Sequence, residues 1–134
     1  MDYIKSFGGR DYYFSCKTKK DRAGDCVARA ISIACEMDWL EVMKDLFALG
    51  LTMGRMPNEY QVMERYLTDN GWVKKSPLRK SNGRKYKVNE FPIDVTNVII
   101  ITNKHVTALV KGVHYDSWNC GNWCANSYYV KENY

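Results

Sequence analysis

The chain has 134 residues, 46% of them hydrophobic and 26% charged, and a formal net charge of +5. That length and balance describe one globular domain, residues 1–134, able to bury a core without disulfide staples, and they exclude a disordered or fibrous chain. No run is apolar enough to span a membrane, MDYIKSFGG is no signal peptide, and five irregularly spaced cysteines point to a reducing compartment, so the expectation is a cytoplasmic protein with no membrane partner.

Residues 1–22 are polar but carry Tyr3, Phe7, Tyr12, Tyr13 and Phe14, a composition that suits a strand or an arm. From Asp25 the pattern turns helical, with Val27, Ala30, Ile31 and Ala34 on one stripe. A second helix begins at DWLE, where Asp38 and Glu41 have capping-box spacing; its stripe is Leu40, Met43, Leu46 and Phe47, and Gly50 offers a stop. A third helix lies in MPNEYQVMERYLTDNG, capped by Asn58, facing inward through Val62, Met63, Tyr66 and Leu67, and ended by Gly71.

Beyond Gly71 the period shortens. WVKK and RKYKV are short strand candidates, and NVIIIT (97–102) is a β-branched run of the kind found in central strands. HVTALVKGVHYDSW (105–118) reads as two strands about a Lys111-Gly112 turn, and SYYV as a last strand. Helices first and strands later predict an α+β domain with an antiparallel sheet. The basic residues gather at Lys17, Lys19, Lys20 and Arg22 and again between Lys74 and Lys87 around SNGR, and both groups read as solvated faces rather than a nucleic-acid site.

A two-residue turn at Lys111-Gly112 fixes the register of the hairpin. It pairs Val110 with Val113 and Leu109 with His114. Val106, Ala108, Val110, Val113 and Tyr115 then share an apolar face, and His105, Thr107, Leu109, His114, Asp116 and Trp118 share the other. His105 and Asp116 become diagonal neighbours, about 7–8 Å apart at Cα, which an imidazole and a carboxylate can bridge. Cys26 opens the first long helix just behind Gly24, where a helix N-terminus lowers a thiol's pKa. If that helix lies against the polar face, Cys26, His105 and Asp116 make a nucleophile, a base and an orienter. Taken singly, Cys26 suits a buried small residue, His105 a solvent-facing strand position and Asp116 a surface acid; their joint order is what points to chemistry. Arg29, one turn after Cys26, suits either a structural ion pair or a charge that favours the thiolate, and Trp118 a shield over the His–Asp bond. CGNWC offers Cys120 and Cys124 as a metal pair, but the remaining thiols Cys16 and Cys35 do not complete a zinc spacing.

The order Cys, His, Asp, on an early helix and a later sheet, resembles the papain-like cysteine peptidase superfamily. GDCVARAISIA resembles the nucleophile helix of its small phage and bacterial members, HVTALVKGVHYDSWN their His-to-Asp hairpin, and MDWLEVMKDLFALG and MPNEYQVMERYL their intervening helices, together covering most of residues 24–119. The resemblance implies a papain-like fold and a hydrolase acting on a peptide or protein substrate through a thioester. Cys26 would be its nucleophile, His105 its base and Asp116 its orienter, with no metal or organic cofactor. Gly24-Asp25-Cys26 through Arg29-Ala30 is also similar to the ovarian-tumour-type deubiquitinases, whose His-Tyr-Asn/Asp element would select His114-Tyr115-Asp116. The hairpin favours His105, diagonal to the acid, over His114 on the acid's own strand. The Gln that papain-like enzymes place ahead of the nucleophile is replaced by Lys20, six residues before Cys26. Two readings therefore stay open beside the hydrolase: transglutaminase-like acyl transfer, and a papain-like binding module of a phage acting in its bacterial host.

Overall fold

Apart from one short leading strand, helices precede strands in the computed structural model, which describes residues 1–133. Strand β1 (Tyr3–Lys5) and the single helical turn α1 (Arg10–Tyr13) come before three longer helices: α2 (Cys26–Cys35), α3 (Trp39–Met53) and α4 (Tyr60–Asp69). The remaining strands are β2 (Trp72–Lys75), β3 (Val98–Thr102), β4 (His105–Val110), β5 (Val113–Asp116) and β6 (Ser127–Lys131). They form one sheet in the order β1-β5-β4-β3-β6-β2, with β3 and β4 at its centre. All neighbours are antiparallel except β1, which joins β5 in parallel. The expected antiparallel sheet is thus a mixed one, because the N-terminal arm adds itself as an edge strand.

Local sequence explains most boundaries. Val27, Ala30, Ile31 and Ala34 are all buried along α2, and Asp38 caps α3 by accepting from the Glu41 amide at 3.3 Å. The buried stripe of α3 is Trp39, Val42, Leu46 and Gly50, a shift from the expected one that leaves Phe47 half exposed. The anchor is Trp39, whose ring packs edge-on against Phe14 and whose indole bonds to Asp25. Gly50 does not stop the helix. It lies where the chain doubles back, so that an added Cβ would sit 2.6 Å from the Arg55 carbonyl oxygen, and the left-handed residue that ends α3 is Gly54. Helix α4 starts after Glu59 rather than Asn58. The Glu59 carboxylate reaches back to the Met56 amide at 2.6 Å, while Val62, Met63, Tyr66 and Leu67 are buried as expected. Residues 84–88 form no strand: their bridges, Arg79 to Lys85 and Lys87 to Cys124, go to different segments and never build a ladder.

Both faces of the sheet are covered. Helices α2 and α4 pack with Ile99, Ile101, Val106, Ala108 and Tyr129 on one side. Val98, Ile100, Leu109, Tyr128 and Val130 meet Val88, Phe91 and Ile93 on the other. Helix α2 therefore lies against the Val106–Ala108 face, so the condition that it cover the polar face of the hairpin is not met, and Cys26 reaches His105 from the strand's start. Apolar area drives that choice, since the Val27–Ile31 stripe needs an apolar partner.

Candidate active site

The hairpin closes as expected. Lys111 (φ 46°) and Gly112 (φ 83°) both take positive φ, the conformation of a type I′ turn, whose twist matches that of the flanking strands. Val110 pairs with Val113, Leu109 with His114 and Ala108 with Tyr115. His105 starts β4 and Asp116 ends β5, and the ring Nε2 lies 2.8 Å from Asp116 Oδ2, with both residues buried. Strand β1 fixes the acid's backbone: Lys5 pairs with Asp116, and the Ser6 amide and the Tyr3 hydroxyl donate to its carbonyl at 2.8 and 2.9 Å. The early aromatic segment thus gives the acid its position, a role that its sequence alone does not announce.

Arg29 ties helix to sheet. Its Nε donates to Asp116 Oδ1 at 3.1 Å and its terminal nitrogen to Asp25 Oδ1, and the Trp39 indole donates to the other Asp25 oxygen at 3.1 Å. Arg29, Asp25 and Asp116 are all nearly excluded from water. Gly8 presses on the Arg29 backbone so closely that a Cβ there would meet the Arg29 carbonyl oxygen at 3.1 Å. Asp25 stands at the N-cap of α2 yet makes no side-chain capping bond, because Arg29 and Trp39 occupy its carboxylate. The first-turn amides of α2 consequently keep their donors for something else.

Cys26 sits half-buried at that helix start, against the His105 ring and the Val106 amide. Burial works to raise its pKa, but hydrogen bonding from His105 and from the Val106 amide, and then the charges of His105 and Arg29, bring it below the ordinary thiol value. For His105, burial opposes the charged form, and the bonds to Asp116, Cys120 and Cys26 overcome it, pushing the pKa up to about 11. Burial opposes ionisation of Asp116 too, and His105 and Arg29 outweigh it, so the carboxylate stays charged. Both shifts favour the charged pair, a thiolate beside an imidazolium whose Nε2–H donates to Asp116. Trp118 lies over His105 with ring centroids 4.9 Å apart, and Trp123 packs edge-on against both rings, so the expected shield is a pair of indoles.

His114 is buried away from Cys26. Its Nε2 lies 2.8 Å from the Thr107 hydroxyl and 3.5 Å from Cys120 Sγ, its ring packs on Tyr3, and burial lowers its pKa. The geometry thus joins Cys26 to His105 rather than to His114. Asn119 Oδ1 accepts from the Gly121 amide at 2.9 Å. Cys120 is the residue whose place the sequence did not reveal: fully buried behind the His–Asp pair, its sulfur is 3.7 Å from Asp116 Oδ2. His105, Asp116 and Cys120 offer ligand atoms within 4.8 Å of one another, the set among the described residues able to hold a metal ion; Cys124 is exposed and outside it.

Cys26 and His105 open into a cleft of about 750 Å³ whose walls include Lys5, Arg10, Lys17, Lys19 and Arg22. The first basic cluster is solvent-exposed as its sequence suggests, and three of its members, Lys17, Lys19 and Arg22, also line the cleft. Behind the Ala23–Asp25 segment lies an apolar hollow of about 250 Å³ lined by Met43, Phe47, Met56 and Pro57. Among the described residues no helix is long and apolar enough to cross a membrane. Compared with protein-family models, with curated proteins and with solved structures, the chain gives no match.

Proposed function

We propose that the protein is a cysteine hydrolase of peptide or isopeptide bonds, of the papain-like kind that its sequence resembles. The observation that carries this reading is the Cys26 thiol on the first turn of α2, set against His105, whose far ring nitrogen is held by buried Asp116 at 2.8 Å. In the first half-reaction the thiolate attacks the substrate carbonyl carbon and a C–S bond forms. The carbonyl electrons move to oxygen, where the unoccupied amides at the start of α2 provide donors in place of the missing glutamine. The C–N bond then breaks, the imidazolium gives its proton to the departing nitrogen, and a thioester remains. In the second, neutral His105 takes a proton from water, the hydroxide oxygen attacks the thioester, the C–S bond breaks, and the thiolate and imidazolium return as acid is released. Asp116 keeps the ring oriented and favours its charged form throughout.

Alkylation by iodoacetamide near pH 6, read at each cysteine by peptide mass, tests the site. Cys26 should react at least tenfold faster than exposed Cys124, and His105→Ala should remove the difference. A Cys26 no faster than Cys124 would sink the hydrolase. A turnover assay with a peptide-amide library should then show cleavage that Cys26→Ala abolishes.

A further inference from the structure

Five cations, Lys5, Arg10, Lys17, Lys19 and Arg22, line the cleft into which Cys26 opens, and among the described residues none of them forms an ion pair. The cleft's two acids do not offset them. Asp25 is held by Arg29 and Trp39. One Asp21 oxygen accepts from the Ser15 and Thr18 hydroxyls and from the Lys17 and Thr18 amides, locking the 15–21 turn from inside. That turn is built so that its carboxylate faces its own backbone while Lys17, Lys19 and Arg22 are left to the cleft. Arg29, the sixth cation, already serves two carboxylates. A concave wall of uncompensated positive charge attracts anions, and low-dielectric walls focus the field.

We infer that the Cys26 cleft selects acidic peptide segments, carrying Asp or Glu beside the bond presented to the thiol. Calling that ligand a substrate rests on the hydrolase reading; the binding preference rests on the cleft's charges. A peptide is favoured over a nucleic acid because the second basic group, Lys74 to Lys87, does not line the cleft, so the cleft's own cations span only the reach of a short chain. The space of about 750 Å³ also suits a few residues of extended chain.

Cys26→Ala protein, which cannot turn substrate over, should be titrated with dye-labelled Asp-Asp-Gly-Gly and Asn-Asn-Gly-Gly peptides by fluorescence polarisation. The acidic peptide should bind at least about tenfold tighter at low salt, and the preference should fade toward about 0.5 M salt. It should vanish when Lys17→Gln, Lys19→Gln and Arg22→Gln, all at exposed positions, are added. Equal binding of the two peptides, or a preference untouched by the three substitutions, overturns the inference, as does tighter binding of a single-stranded oligonucleotide that displaces the acidic peptide. A separate arm reads the hydrolase: wild-type protein is treated with Asp-Asp-Gly chloromethyl ketone, where the Cys26 sulfur displaces chloride as the C–S bond forms. Slow labelling with intact acidic preference removes the hydrolase and keeps an acidic-peptide site; fast labelling without preference does the reverse.

Discussion

Arg29 bonds two buried carboxylates at once, Asp25 on its own helix and Asp116 at the end of β5, and so sets the distance between the thiol's helix and the acid's strand. Removing one partner of a buried ion pair leaves uncompensated charge, at a cost of about 3–5 kcal/mol. Arg29→Met should therefore lower the unfolding free energy by about that amount in urea titrations, and Arg29→Lys should recover only part of it because a single ammonium cannot serve both acids in the same plane. The sign of each shift sets the pH dependence. The thiolate of Cys26 is lost only as pH falls through its lowered pKa, and the imidazolium of His105 persists until pH rises through about 11. Alkylation of Cys26 should thus hold a plateau reaching below the ordinary thiol range. Asp116→Asn removes the bond and charge that raise the His105 pKa, and should shift that plateau alkaline and slow labelling at pH 6 by about tenfold or more. The same pair bears on stability. The His105 contribution is complete below its ordinary 6.5 and is lost as pH rises through about 11, whereas that of Asp116 is present above its ordinary 3.8 and fades as pH falls through its lowered value. Thermal melts should be highest between those two ordinary values and decline slowly on the alkaline side, a decline that His105→Ala flattens.

At the scale of the element, two glycine-bearing bends give opposite expectations. Gly50 faces the Arg55 carbonyl oxygen with no room for a methyl, so Gly50→Ala should destabilise by about 1–3 kcal/mol in chemical denaturation. Lys111 holds a positive φ that favours Asn in a type I′ turn, and Lys111→Asn should raise stability by about 0.5 kcal/mol, seen as a higher urea midpoint. These bends also show how far the sequence was readable. The Lys111-Gly112 turn and strict alternation gave the hairpin register, and with it the His105–Asp116 pair, because both signals are local. The side of the sheet that α2 covers stayed open in the sequence, since His105, Thr107, His114 and Asp116 find bonding partners inside the protein and a polar strand face can be buried when its groups are bonded. Cys120 and β1 were not foreseen as parts of the site because their roles depend on contacts across more than a hundred residues of chain or behind a loop, which no local period encodes.

Over the whole molecule, which carries a net charge of +5, two groups of basic side chains stand out, with Lys5 common to both. One lines the cleft into which Cys26 opens. The other stands on the sheet's rims: β2, the outermost strand on one side, ends in exposed Lys74 and Lys75, and β1, the outermost on the other, ends in exposed Lys5. Unsatisfied amides on a rim strand invite another chain to zip onto them, and ammonium groups projecting there repel a like-charged copy at the moment of approach. Lysine at these tips therefore guards a six-stranded sheet against fibril-like stacking. A Lys74→Val, Lys75→Val double variant should scatter light and bind thioflavin within hours at concentrations where the parent protein stays clear.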